Sequence, residues 1–208
     1  MSLATQQIRA ALRHLSVADP ILKTVIQKVG PCTLRIQKNR FQVLVRSIIS
    51  QQISTSAART IRQRFEELVA PAEITPDAIR SLTEKQLRSA GVSQQKASYL
   101  IDLSGKIQNN ALRLNQIGRL ADEKVIAELT QVKGIGRWTA QMFLIFCLGR
   151  PDVLPHDDLG IRSALRNLYG LNDLPDKTTC KAIAQPWRPY TTVACWYCWR
   201  SLELPKIS

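Results

Sequence analysis

Leu129–Arg162 reads LTQVKGIGRWTAQMFLIFCLGRPDVLPHDDLGIR, and these residues decide the fold. Leu129-Thr130-Gln131 closes a helix that Asp122 is placed to cap. Val132-Lys133-Gly134-Ile135-Gly136 is too rich in glycine to continue that helix, and its glycines permit positive φ and close backbone approach. Arg137–Leu148 is then almost wholly apolar, the mark of a helix buried on most sides. Gly149-Arg150-Pro151 breaks it, and Leu154-Pro155-His156-Asp157-Asp158 opens the next helix. The unit is a helix, a Gly-Ile-Gly turn flanked by Lys133 and Arg137, and a second helix, followed by an acidic pair. Backbone N–H groups at the start of the Arg137 helix can face a phosphate, with the helix dipole favouring the anion. The pattern implies a phosphate grip delivered beside a carboxylate.

Helical patterns continue outward on both sides. Gln6–Leu15 places Ile8, Leu12 and Leu15 on one side of a helix. Asp19-Pro20 reads as an N-cap and first helical residue for Ile21–Val29, which Gly30-Pro31 stops. Cys32–Arg40 is short, extended and basic. Phe41–Gln52 is helical, and Ser54 or Thr55 caps Ala57–Leu68, whose outer face carries Arg59, Arg62 and Arg64. Thr83-Glu84-Lys85-Gln86 has capping-box form. Ser93 is the N-cap of a helix to Ile107, and Leu159–Leu168, Lys177–Ala184 and Pro189–Leu202 complete the set. Strand signals are nearly absent and connections are short, so the expected fold is all-α.

Lysine and arginine outnumber aspartate and glutamate 29 to 16 in 208 residues, a formal net charge of +13. Such an excess favours a polyanionic partner, nucleic acid before membrane. No run reaches the length of a membrane span, and Met1–Ala18 lacks the apolar core of a signal peptide. Five cysteines, an odd number without regular spacing, fit free thiols in a reducing compartment. The expected location is intracellular, a bacterial cytoplasm or a eukaryotic nucleus.

Four blocks carry a family resemblance together: Phe41–Ser54 (FQVLVRSIISQQIS), Gly134–Ala140, Leu154-Pro155-x-Asp157-Asp158, and Trp187–Trp196 (WRPYTTVACW). In this order and spacing the chain resembles the helix-hairpin-helix DNA glycosylases that carry a Gly/Pro-rich loop and a catalytic aspartate, the HhH-GPD superfamily. Within it the chain is most similar to the alkylpurine branch, of 3-methyladenine DNA glycosylase II type. The resemblance implies two helical lobes, a central one over about 41–150 and a second built from about 1–40 and 151–208, with a catalytic cleft between them. The N-terminal β-rich domain of larger relatives is not expected, because the segment before Phe41 is too short for it.

The resemblance also implies roles. Asp158 falls on the catalytic position. Hydrolysis of an N-glycosidic bond passes through an oxocarbenium-like sugar, which a carboxylate beside C1′ stabilises, and the same group can orient water. Taken alone, the Asp157-Asp158 pair reads as a helix cap; with the motif, Asp158 becomes the catalytic residue and Asp157 a cap or supporting group. His156 reads as structural. Trp138 and Trp196 fall on stacking positions for a flipped base, where electron-rich indoles attract a cationic alkylpurine. Met142, one helical turn after Trp138, stands where bacterial relatives have tyrosine and leaves the pocket shape open. Trp187 and Trp199 read as core. Gln51 and Gln52 fall on the loop that enters the DNA stack, with Gln52 at the wedge position that fills the gap left by a flipped base. Lys133, Gly134, Gly136 and Arg137 would grip the backbone. The carbonyls of Thr130, Val132 and Ile135 would hold a monovalent cation, sodium or potassium, that bridges to phosphate.

Position 138 is tryptophan, where strand-cutting relatives place a nucleophilic lysine, so monofunctional hydrolysis is implied. Some relatives carry a four-cysteine iron–sulfur loop. Here only Cys180, Cys195 and Cys198 follow Asp158, so no cluster is expected. The expected protein is a monomeric base-excision repair enzyme that flips 3-methyladenine- or 7-methylguanine-type bases from damaged double-stranded DNA and leaves an abasic site. Alternatives are a glycosylase of this fold for another damaged base, a non-catalytic helix-hairpin-helix DNA-binding module, and a structural helical protein with incidental charge. A pure binder needs neither Asp158 nor paired tryptophans, and an incidental charge would give no salt-dependent DNA affinity.

Overall fold

A computed structural model describes residues 5–204, and it shows helices with no strand among them. In order they are α1 (Thr5–Ala18), α2 (Pro20–Val29), α3 (Arg40–Ser50), α4 (Thr55–Val69), α5 (Pro76–Arg80), α6 (Glu84–Ser89), α7 (Gln94–Gln108), α8 (Asp122–Thr130), α9 (Arg137–Phe143), α10 (Leu159–Tyr169), α11 (Lys177–Ala184) and α12 (Thr191–Ser201). The chain divides into two compact units. One spans Gln37–Phe143, and the other joins the chain up to Ile36 with the chain from Leu144 onward.

In the Gln37–Phe143 unit, α7 packs against α3, α5 and α6, while α3 also meets α4 and α9. Leu44, Val45 and Ile48 of α3 and Ala97, Leu100 and Leu103 of α7 are fully buried there. Local chemistry sets the helix starts. The side chains of Ser54, Thr75 and Ser93 accept the N–H of Ala57, Ala78 and Lys96, and Thr83 and Gln86 form the reciprocal capping box. One start differs from the sequence expectation. Asp122 is not the cap of α8 but lies in its first turn, and Ala121 occupies the cap position. An acid one residue inside the helix still meets the positive end of the dipole.

In the other unit, α12 is the centre. It packs against α1, α2 and α10, and eight consecutive residues, Thr191 to Cys198, are buried. Asp19 organises the helices around it. It caps α2 by accepting the Leu22 N–H, and it also accepts Trp187 Nε1–H at 2.8 Å and the Tyr169 hydroxyl. Burial, reinforced by that carboxylate, pushes the Tyr169 phenol up and keeps it a donor. Three donors on one buried acid turn a costly group into a tie between distant segments.

Arg137–Leu148 does not form one α-helix. After Phe143 the backbone widens into a π turn over Leu144–Leu148, and Gly149 follows at φ +65. The change of unit falls at the junction of α9 and this turn, not at Gly149-Arg150-Pro151. π turns recur where a helix must re-aim a functional segment.

Candidate functional site

Within the Gln37–Phe143 unit, α8 and α9 are joined by the Gly-Ile-Gly turn. The N–H of Val132 donates to Leu129 O and that of Ile135 to Val132 O, both at 3.1 Å. Val132 and Ile135 are buried, whereas Lys133, Gly134, Gly136, Arg137 and Trp138 face outward. The turn therefore plugs itself into the unit with two apolar residues and presents backbone and basic side chains. Gly134 is required on two grounds. Its φ is +77, and a Cβ there would lie 2.1 Å from Cδ2 of the Tyr99 ring. Lys133 N–H donates to Asp102 Oδ2 at 2.9 Å, which fixes the turn from below. Arg137 pairs with the exposed carboxylate of Glu123. Exposed pairs of this kind are weak and exchange readily for another anion.

The loop after α3 is bound to the same turn. Gln51 Nε2–H donates to Gly134 O at 2.8 Å, and Lys96 Nζ donates to Ile49 O at 2.9 Å and to Gln51 O at 2.8 Å. Lys96 thus satisfies carbonyls that the end of α3 leaves without helical partners. Burial lowers its pKa, a cost set against two charge-assisted bonds. Gln52 is exposed and takes φ +55, a left-handed conformation uncommon for a residue other than glycine. Nothing in the sequence marks Lys96 for this part, because its partners are backbone carbonyls more than forty residues away.

The expected cation ligands can be weighed by their chemistry. Thr130, Val132 and Ile135 offer neutral carbonyl oxygens, and the Val132 carbonyl keeps a second lone pair beyond its bond from Ile135 N–H. Such donors suit a hard monovalent ion. Among the described residues no group of three His, Cys, Asp or Glu side chains could hold a metal. Burial pushes the Cys195 thiol well up and the Cys198 thiol to about 12, so both behave as small core side chains.

The acidic pair belongs to the other unit. Thr192 ties the segment before it to α12: its N–H donates to Pro151 O at 2.9 Å, its hydroxyl donates to Arg150 O at 2.6 Å, and it accepts the Val153 N–H at 3.1 Å. Asp158 then starts α10. Its Oδ1 accepts the Ile161 N–H at 2.8 Å and the Trp199 indole N–H at 2.8 Å. Asp158 itself is 9 % exposed. This overturns two readings. Asp157 is not the cap; its side chain is 64 % exposed and lies 3.0 Å from His156 Nδ1, outside hydrogen-bond geometry. Trp199 is not simply core, since its N–H is committed to Asp158 while its ring stacks on Phe146 at 5.7 Å. The spacing Trp196–Trp199 was the available signal, because residues three apart share a helix face.

Gly160 makes this arrangement possible. A Cβ there would stand 3.0 Å from Asp158 Oδ1 and 3.0 Å from Trp199 Cδ1. The two expected stacking residues differ sharply. Trp138 is 44 % exposed on α9, with Met142 half-buried one turn on. Trp196 is only 6 % exposed on α12, edge-on to Tyr197 and with the Arg200 guanidinium 5.7 Å from its ring centroid. Trp187, as expected, is core.

No helix among the described residues is long and apolar enough to cross a membrane. The sequence profile of the HhH-GPD superfamily base excision DNA repair proteins matches residues 45–189. DNA-3-methyladenine glycosylase 1 of Schizosaccharomyces pombe is 35 % identical over 92 % of this chain and 86 % of its own length. Among solved structures, that of the S. pombe 3-methyladenine DNA glycosylase Mag1 in complex with abasic DNA superposes with a TM-score of 0.84 at 33 % identity, covering 96 % of this chain and 99 % of that one. The DNA-3-methyladenine glycosidase of Bacillus halodurans superposes at 0.81 with 35 % identity, covering 92 % and 88 %. Helices, hairpin and capping aspartate together with these likenesses place the chain in the HhH-GPD superfamily of base excision DNA repair proteins.

Proposed function

We propose that this protein is a monofunctional DNA glycosylase that removes alkylated purines from duplex DNA. The observation that carries the reading is Asp158: a carboxylate at the head of α10, held through one oxygen by two donors, in a chain more than 30 % identical to proteins named for 3-methyladenine removal. The C1′–N9 bond breaks and its electron pair leaves with the cationic base, which departs neutral. The sugar becomes oxocarbenium-like beside Asp158, whose negative charge stabilises it. Water adds its oxygen to C1′ and yields a proton to the carboxylate and then to solvent. The products are a free base and an abasic sugar.

Binding rests on the Gln37–Phe143 unit. Lys133, Gly134, Gly136 and Arg137 grip the phosphate backbone, and the carbonyls of Thr130, Val132 and Ile135 would hold a monovalent cation that supplies further positive charge there. Gln52, with Gln51 beneath it, fills the gap left by the flipped nucleotide. Trp138, Met142 and Trp196 are each assigned to contact with the flipped base, through packing and cation–π attraction. The protein acts as an intracellular monomer on damaged double-stranded DNA.

Incubating the protein with methylated duplex and identifying the released bases tests this directly. Release of 3-methyladenine and 7-methylguanine is expected, with strand breaks only after alkali. Borohydride should trap no covalent adduct, because position 138 carries an indole and not an amine. An adduct lost on replacing a single lysine would overturn the hydrolytic mechanism.

A further inference from the structure

We infer that Trp199 is a positioning residue for the reacting carboxylate and that Gly160 exists to let it reach. The inference rests on the reading of Asp158 as the group that faces the developing sugar cation. A carboxylate at a helix start normally has one fixed oxygen, held by the backbone, and is free to swing about its own bonds. Here the Ile161 N–H holds Oδ1 at 2.8 Å from the helix, and the Trp199 indole N–H holds the same oxygen at 2.8 Å from α12. Two donors from different elements on one oxygen fix the plane of the group, and with it the direction of the other oxygen. The indole is itself held by its neighbours. Its ring stacks on Phe146 of the π turn at 28° between planes, and α12 is buried along the eight residues before it. Trp199 carries no charge of its own, so its effect is on aim and not on attraction for DNA.

Gly160 supplies the second, independent observation. Any side chain at 160 would press at 3.0 Å on both partners of this bond, Asp158 Oδ1 and Trp199 Cδ1. That is closer than ordinary contact, so one of the two partners must shift to admit a methyl group. The chain keeps a glycine inside the first turn of α10, where glycine is unfavourable for a helix, at a place where a methyl group would press on both donor and acceptor. A plain helix cap needs no such gap.

The test compares three replacements at position 199 and 160 with the wild type on duplex containing 7-methylguanine, under single-turnover conditions. Benzothienylalanine at 199 replaces the indole N–H by sulfur at nearly constant shape, Trp199→Phe removes the donor and part of the ring, and Gly160→Ala wedges the pair apart. Each should lower the rate of base release by roughly tenfold to a hundredfold, the usual weight of a hydrogen bond to a charged group. Affinity for duplex carrying a non-cleavable abasic analogue should stay within about twofold. In an Asp158→Asn background the benzothienylalanine replacement should cost nothing further, because the bond it removes serves only the carboxylate. A benzothienylalanine protein that releases base at the wild-type rate overturns the inference, as does an equal further loss in the Asp158→Asn background. A wild type that releases no base overturns the underlying reading and this inference with it; an active wild type matched by its position-199 variants overturns this inference alone.

Discussion

Two helix starts, those of α9 and α10, treat charge in opposite ways. Both follow tight turns, and both direct the positive end of a helix dipole at their surroundings. The turn before α9 consists of Gly134, Ile135 and Gly136, whose side chains offer no acceptor, with Lys133 and Arg137 on either side. The turn before α10 ends in Asp158, whose own oxygen takes the Ile161 N–H. The first start is suited to a negative charge from outside, as proposed above. The second brings its own negative charge and holds it nearly buried, and so is suited to a positive charge that appears during reaction. Side-chain chemistry dominates at α10 and backbone geometry at α9. Damage to the two should look different: loss of rate without loss of binding at one, loss of binding and stability together at the other.

The largest effect should come from Asp158→Asn. The amide can still cap α10, so folding and duplex affinity should persist. It cannot neutralise an oxocarbenium charge, and base release should fall by about a hundredfold to a thousandfold or more. Asp157→Asn, at a side chain 64 % exposed, should leave release within a few-fold. Single-turnover rates beside binding isotherms decide it. A reversed order within the pair would move the chemistry to Asp157.

Gly134→Ala should come next and affect the other quantities. The new methyl group meets the Tyr99 ring at 2.1 Å and sits on a backbone of φ +77, so the turn must deform. Stability should drop by about 2 kcal/mol, and affinity for undamaged duplex by roughly tenfold, with a shallower dependence of log affinity on log salt. Denaturant unfolding and salt-series titrations are the measurements. A variant with normal affinity would show that the turn is only a connection between helices.

Gln52→Gly should give the smallest and most selective change. Glycine accepts φ +55 without steric cost, so stability should move by less than about 1 kcal/mol. The missing side chain should cut the preference for lesion over undamaged DNA by a few-fold, because the gap left by flipping goes unfilled. Competition binding with the two duplexes reads this out. Equal weakening on both would assign Gln52 to the backbone grip.

Most of the fold was legible because it rests on local rules. Asp19-Pro20, Ser54, the Thr83–Gln86 box and Ser93 each act over a few residues, and each stands where its sequence signal put it. The failures were local choices settled by distant partners. Asp157 and Asp158 are the same residue type side by side, and periodicity cannot say which one caps; Trp199 on α12 and the Ile161 N–H together select Asp158. Arg137–Leu148 has the composition of one helix, but its widening at Leu144 sits where the chain passes from one compact unit to the other.

The candidate site divides the same way. Sequence alone determined the helical class, the basic excess, the Gly-Ile-Gly turn and the acidic residues that could serve it, because composition, spacing and backbone freedom are properties of the chain itself. Only tertiary structure decided that Lys96 would brace the loop at Gln51, that Tyr99 would crowd any side chain at Gly134, that Trp138 would stand exposed while Trp196 is nearly covered, and that Trp199 would bond to Asp158 beside Gly160. Those facts depend on which surfaces meet after helices far apart in sequence have packed. A hydrogen bond at 2.8 Å or a contact at 3.0 Å exists only once that packing has fixed both partners in space.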